Sequence, residues 1–193
     1  GLLSFSWDQV ASLRIVISAV FLSPILFRNF KQIKKHQWWP ICVAGFLGSG
    51  IPAYLFPLAQ TQISSSLTGM LNSLVPLFTV VIGLLFFQLG FRWMKIAGVL
   101  LGLVGAIGLI FSSGNLSIGE GNLIFAGLVV MATIMYATNI NFIKTFLSEV
   151  GAINITSFGF LFTGPLAAAH LLSTDFINII RTDDSADLNL FYI

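Results

Sequence analysis

Charged side chains are scarce in this sequence, since Asp, Glu, Lys and Arg make up only 8% of its 193 residues. A soluble domain carries about 25% charged residues and needs them to stay in water. Hydrophobic residues reach 56%, and the mean hydropathy is +0.95. The composition therefore excludes an ordinary water-soluble domain and predicts a protein whose solvent is the lipid bilayer.

Cysteine and histidine are nearly absent as well. A single cysteine, Cys42, excludes an internal disulfide, and only two histidines are present. The sequence also lacks the Gly-x-x-x-x-Gly-Lys, Gly-x-Ser-x-Gly and His-Glu-x-x-His motifs of phosphate, nucleophile and zinc sites. We therefore expect no catalytic residue, no metal and no cofactor. The small excess of nine Lys and Arg over seven Asp and Glu does not predict nucleic-acid binding.

Long apolar runs are abundant, and about 20 apolar residues suffice to cross a bilayer. Six complete runs predict the first to sixth spans: Val10–Phe27, Pro40–Ala59, Ser64–Phe87, Trp93–Phe111, Gly121–Phe142 and Val150–Leu172. A further run opens at Leu188, and the sequence does not begin with Met. We expect a polytopic α-helical protein that continues beyond both ends of this sequence.

Basic residues alternate between the loops. Seven of them follow the first, third and fifth spans: Arg28, Lys31, Lys34, Lys35, Arg92, Lys95 and Lys144. The opposite loops are mainly acidic. Because Lys and Arg near short loops stay on the cytoplasmic side, the alternation predicts that these basic loops are cytoplasmic. It also supports the span count and a multi-pass location in a bacterial-type cytoplasmic membrane.

Small and polar residues recur at steps of three and four along the third span: Ser65, Thr68, Gly69, Asn72, Pro76, Thr79 and Gly83. This spacing predicts one stripe along a helix. Pro76 cannot donate to the carbonyl of Asn72, so the stripe carries a freed acceptor. Two interpretations remain open. The stripe is either a tight helix contact with Asn72 bonded across it, or a cavity wall where Asn72 contacts a substrate.

The second span contains Pro52 and Pro57 behind several glycines, which predicts a bent helix. Tyr54 lies between the prolines and would either bond a freed carbonyl or face a polar cavity. Ionisable residues inside spans are costly and tend to face a partner or a water-filled cavity. Arg14 either snorkels to the outer end or contacts an anion. His170 is either an interfacial histidine beside Asp175 or a proton-coupling group.

These residues resemble the EamA-type branch of the drug/metabolite transporter superfamily. Leu13-Arg14-Ile15, followed by Pro24 and a basic loop, is similar to the family's second helix. Tyr54 and the run from Ser64 through Asn72 to Pro76 are similar to the third and fourth helices, and Gly98 with Gly105 to the fifth. A second repeat would begin at Gly121, with Tyr136 where an aromatic residue is usual. The family often has Glu after the fourth helix, where this sequence has Gln88.

The resemblance implies an all-α membrane fold of ten helices in two inverted five-helix repeats, which move by alternating access. Residues 1–113 would form the first repeat without its first helix, and residues 119–193 the first part of the second. This plan pairs the first span with the sixth, where Ser23-Pro24-Ile25 is similar to Gly164-Pro165-Leu166.

The implied function is a permease that moves a small metabolite or drug-like molecule across the cytoplasmic membrane by gradient-driven alternating access. The resemblance and the helix faces together nominate five substrate contacts: Arg14, Tyr54, Asn72, Tyr136 and Asn139. Tyr136 and Asn139 are three residues apart and share a helix face. A proton is a candidate coupling partner, and a homodimer is a candidate assembly. The alternative is a non-transporting membrane receptor or assembly protein with the same helix packing.

Overall fold

The computed structural model describes residues 5–87 and 120–176, together with a few isolated positions between 93 and 108. Within these residues the chain is helical and contains no strand. Five helical segments there are long and apolar enough to cross a membrane: Trp7–Gln32, Lys35–Gln60, Ser65–Leu85, Leu123–Phe146 and Ala152–Ser173. They match the predicted first, second, third, fifth and sixth spans, and they confirm a helical membrane bundle. More than half of the fourth span and all of the run at Leu188 lie outside the described residues.

The first span is one helix, α1, from Trp7 to Asn29. Its 23 residues extend about 34 Å, enough to cross the hydrocarbon core. Pro24 lies inside the helix and cannot donate to the carbonyl of Val20. The hydroxyl of Ser23 donates to that same carbonyl at 2.7 Å. The side chain therefore replaces the missing backbone bond, which allows the helix to continue through a proline in lipid.

The second span is not one regular α-helix, and a π-helical turn interrupts it ahead of Pro52. It consists of α2 (Trp38–Gly45), one turn of π-helix (Phe46–Gly50) and α3 (Ile51–Gln60). Pro52 lacks the N–H that an α-helix would direct to the carbonyl of Gly48. The wider turn accommodates this loss, and such turns often occur at functional sites.

The third span is interrupted, so the predicted stripe does not run along one continuous α-helix. It consists of α4 (Ser65–Asn72) and α5 (Val75–Leu85). Between them the N–H groups of Ser73 and Leu74 bond carbonyls three residues back, each at 3.1 Å. Pro76 explains the break, because it offers no donor to Asn72. Along the predicted stripe, Thr68 and Gly83 are buried, whereas Ser65, Gly69, Asn72 and Pro76 are exposed.

The fifth span is α6 (Glu120–Phe146) and the sixth is α7 (Ala152–Ser173). The sixth span packs along the first in the opposite direction. Asp8 pairs with His170 at one end, and Asn29 donates to the Oδ1 atom of Asn154 at 2.8 Å at the other. The two spans predicted to correspond therefore lie side by side and antiparallel.

Among the described residues, apolar clusters lie near both ends of the bundle. One consists of buried residues from the first, second and sixth spans and the loop before the sixth: Leu26, Ile41, Ala44, Leu147, Ile155 and Phe158. The other joins the second and fifth spans through Ala59, Ile63 and Val129. Lys34 pairs with Glu149 at 3.1 Å on the side of the first cluster. The basic loop after the first span and the loop after the fifth therefore share one end, as the charge alternation requires.

Candidate functional site

Asn139 lies against the π-helical turn of the second span. Its side-chain amide occupies the space that a β-carbon on Gly48 would need, so only glycine fits there without a shift of Asn139. Among the described residues, the Oδ1 atom of Asn139 is the one buried side-chain oxygen or nitrogen without a hydrogen-bond partner. Leaving a buried acceptor unpaired costs about 1–3 kcal/mol. This arrangement suits an atom that accepts a hydrogen bond from a ligand.

Tyr136 precedes Asn139 by one turn of α6. Its ring stacks on Phe56 of the second span, with 5.8 Å between centroids and 23° between planes. The positive charge of Arg14 on the first span acts on the phenol of Tyr136. Two of the five predicted contacts, Tyr136 and Asn139, therefore both lie against the second span, and no described hydrogen bond, ion pair or ring contact joins the Arg14 side chain to them.

Arg14 itself is exposed. The described ion pairs join Lys34 to Glu149 and His170 to Asp8, so within that part of the chain Arg14 pairs with no carboxylate. A guanidinium carries five donors in a planar fork that matches anionic groups. The side chain is therefore available to an anion, and anchoring at the outer end remains the other interpretation.

Tyr54 makes a contact that neither sequence interpretation predicted. Its hydroxyl lies 2.9 Å from the hydroxyl of Ser12 on the first span. Its ring lies parallel to that of His170, with 6.0 Å between centroids and 5° between planes. The predicted bond to a freed carbonyl is wrong, because the partner is a side chain of another span. Ser12 was missed, although it shares a helix face with Asp8 four residues earlier.

Asn72 is exposed at the end of α4, beside the break in the third span. Its side chain makes no hydrogen bond to another described residue. The interpretation in which Asn72 bonds to a neighbouring helix across the stripe is therefore wrong for the part of the chain that the structure describes. A substrate contact at Asn72 remains a prediction, and no described hydrogen bond or ring contact joins it to the other four candidates.

The residue that does bond across to the third span is Asn141, which sequence reasoning missed. It is buried, and its Nδ2 atom donates to the carbonyl of Thr79 at 2.8 Å and to that of Ala137 at 3.1 Å. The sequence signal was an Asn-x-Asn pair, in which two amides two residues apart point to different helix faces. One amide thus joins two helices, while the other faces the π-helical turn.

Comparison with known proteins shows which family this chain resembles. Residues 2–111 match the model of the EamA-like transporter family. A curated protein of Archaeoglobus fulgidus named "Uncharacterized transporter" is 24% identical over 148 residues, which are 77% of this chain and 51% of that protein. The chain thus spans about half the length of the curated relative it matches. No solved structure matches the chain. Because the family match covers more than half of a multi-pass helical membrane chain, the chain belongs to the EamA-like transporter family.

Proposed function

We propose that the complete protein is a permease that moves a small metabolite or drug-like molecule across the cytoplasmic membrane by gradient-driven alternating access. Membership of a transporter family supports the movement of a solute. The absence of a Gly-x-x-x-x-Gly-Lys loop from this sequence favours a solute or proton gradient over a nucleotide as the source of energy.

The observation that carries the proposal is the unpaired Oδ1 atom of Asn139. It lies inside an apolar bundle, where an acceptor without a donor is unfavourable. A substrate with a hydroxyl, amine or amide N–H would supply the donor. Tyr136 and Phe56 form an aromatic wall beside it, and Arg14 supplies a positive charge. The site therefore favours a small molecule with a hydrogen-bond donor, an apolar or planar body and an acidic group.

Two local distortions support movement around this site. The π-helical turn at Phe46–Gly50 divides the second span next to Asn139. The turn at Ser73 and Leu74 divides the third span. Discontinuous helices commonly form transporter binding sites near the membrane midplane. The two divided spans thus offer natural hinge positions for alternating access.

The complete protein, reconstituted in liposomes, tests the proposal. The liposomes are loaded with a metabolite extract uniformly labelled with ¹³C, a pH gradient is imposed, and mass spectrometry identifies the labelled compounds that leave. We expect selective release that protein-free liposomes do not show. Asn139→Ala should slow release about tenfold, because one lost buried hydrogen bond of about 1.4 kcal/mol corresponds to that factor.

Thr138→Ala is the matched control on the same helix. The hydroxyl of Thr138 donates to the carbonyl of Ile134 within its own helix at 2.8 Å, so its loss should change release by less than about twofold. Specific binding of a labelled compound without any release would contradict the permease. That result would support the alternative of a receptor or assembly protein.

A further inference from the structure

Four polar side chains from three spans meet at the predicted outer end of the bundle, apart from the Asn139 site. Asp8 and Ser12 lie one turn apart on the first span, Tyr54 lies on the second and His170 on the sixth. The Nε2 atom of His170 lies 3.6 Å from the Oδ2 atom of Asp8. The ring of His170 lies parallel to that of Tyr54, whose hydroxyl contacts Ser12. We call these four residues the outer cluster.

The outer cluster holds the imidazole in place from two sides. Ser12 is fully buried, and its contact with the Tyr54 hydroxyl restrains the ring on which His170 stacks. The Asp8 side chain is only 20% exposed, so its charge is screened less than that of a surface carboxylate. The cluster is therefore a built arrangement of groups in contact across three helices.

The charge on the imidazole controls both of its contacts. Histidine gains and loses a proton within the physiological pH range. A protonated ring is attracted to the Asp8 carboxylate, and a cation over an aromatic face is also favourable. A neutral ring makes neither the ion pair with Asp8 nor the cation–π interaction with Tyr54. Protonation thus strengthens the connection of the sixth span to the first and to the second.

The surrounding charged groups are few. The first span also carries Arg14, six residues after Asp8, and Arg28 at the opposite end. The second span presents the Tyr54 phenol, and Asp175 follows His170 by five residues. Among the described residues, Asp8 is the one carboxylate that pairs with His170. The sequence suggested Asp175 as the neighbour of His170, whereas the structure pairs His170 with Asp8.

We infer that His170 and Asp8 form a proton-binding site, and that a proton bound there holds the first and sixth spans together and closes the outer end of the protein. The proton passes from the outer solvent to an imidazole nitrogen and returns by the same route. The inference rests on the proposed function, because the first and sixth spans belong to the two expected repeats. Closing the outer end is then one half of the alternating-access cycle.

Distance measurements on the complete protein in nanodiscs test this site without any transport step. Cys42 is replaced by Ser, and nitroxide labels are attached at positions 62 and 172, where Gln62 and Leu172 are exposed near this end. We expect the population with the shorter distance to rise about two- to fivefold between about pH 8 and about pH 5.

Charge variants make the result specific. His170→Gln and Asp8→Asn should each abolish the pH response, whereas His170→Lys should give the shorter distance at both pH values. His36→Gln is the matched control, because His36 is the other histidine of this chain and is exposed at the opposite end. It should keep the full response.

A pH response that survives in both His170→Gln and Asp8→Asn would overturn the proton site. Solute release by the liposomes without a distance change at any pH would also overturn the proton site. The proposed permease function would then still stand. A His170-dependent distance change without solute release would support the proton site and contradict the proposed function.

Discussion

Gly45 and Gly159 cross so closely that a β-carbon on Gly45 would lie 2.8 Å from the Cα atom of Gly159. Both residues are buried, and they bring the backbones of the second and sixth spans into contact. Small residues allow such close crossings in membranes, where van der Waals packing drives association. Gly45 ends α2 directly before the π-helical turn. The crossing therefore positions the turn that meets Asn139.

Gly45→Ala should destabilise the protein by about 1–3 kcal/mol, because the added methyl group meets backbone that cannot move aside. Denaturant titration in detergent micelles, followed by circular dichroism, measures the loss. Gly127→Ala on the fifth span is the control, since a methyl group there meets no described atom within 4 Å. Equal stability of the two variants would refute the close crossing.

The contact between Ser12 and Tyr54 should appear as coupling in a double-mutant cycle. We expect Ser12→Ala and Tyr54→Phe to interact by about 0.6 kcal/mol, a typical value for interhelical hydrogen bonds in membranes. The hydroxyl of Ser157 instead donates to the carbonyl of Ile153 in its own helix at 2.8 Å. Ser157→Ala and Tyr54→Phe should therefore be additive. Additivity of the Ser12 pair would show that the two hydroxyls do not bond.

The orientation of the bundle can be tested at its two ends. Single cysteines at Lys31 and at Gln62, both exposed, are introduced in a background with Cys42 replaced by Ser. A membrane-impermeant maleimide should label position 62 from outside and position 31 only after the membrane is opened, because the basic loops stay inside. Labelling of both positions from one side would contradict the predicted topology.

Arg14→Lys separates the two interpretations of Arg14. Lysine keeps the charge and can snorkel, but it cannot present a planar fork. We expect about tenfold slower solute release at unchanged expression, the effect of losing about 1.4 kcal/mol from a charge-assisted hydrogen bond. Arg28→Lys at the opposite end serves as the control and should transport normally. Normal transport by Arg14→Lys would mean that Arg14 is only an anchor.

Local chemistry explains what the sequence alone determined. Length and apolar composition were sufficient to predict the five spans that the structure describes, because a helix must satisfy its own backbone in lipid. Pro52 predicted that the second span is not a regular helix, because a missing N–H acts on a carbonyl only four residues away. Charge at the loops predicted which ends lie together, and the pairing of Lys34 with Glu149 agrees.

Only the tertiary structure decided which polar residues meet. Asn72, Asn139 and Asn141 are the same residue type in similar apolar helices, yet one is exposed, one faces the π-helical turn and one bonds the third span. His170 meets Asp8 rather than the nearby Asp175, and Tyr54 meets Ser12, 42 residues away. Helix periodicity predicts which residues share a face, but the rotation and crossing of neighbouring helices decide what that face touches. Those crossings depend on close contacts between distant residues, such as Gly45 and Gly159, that no local pattern specifies.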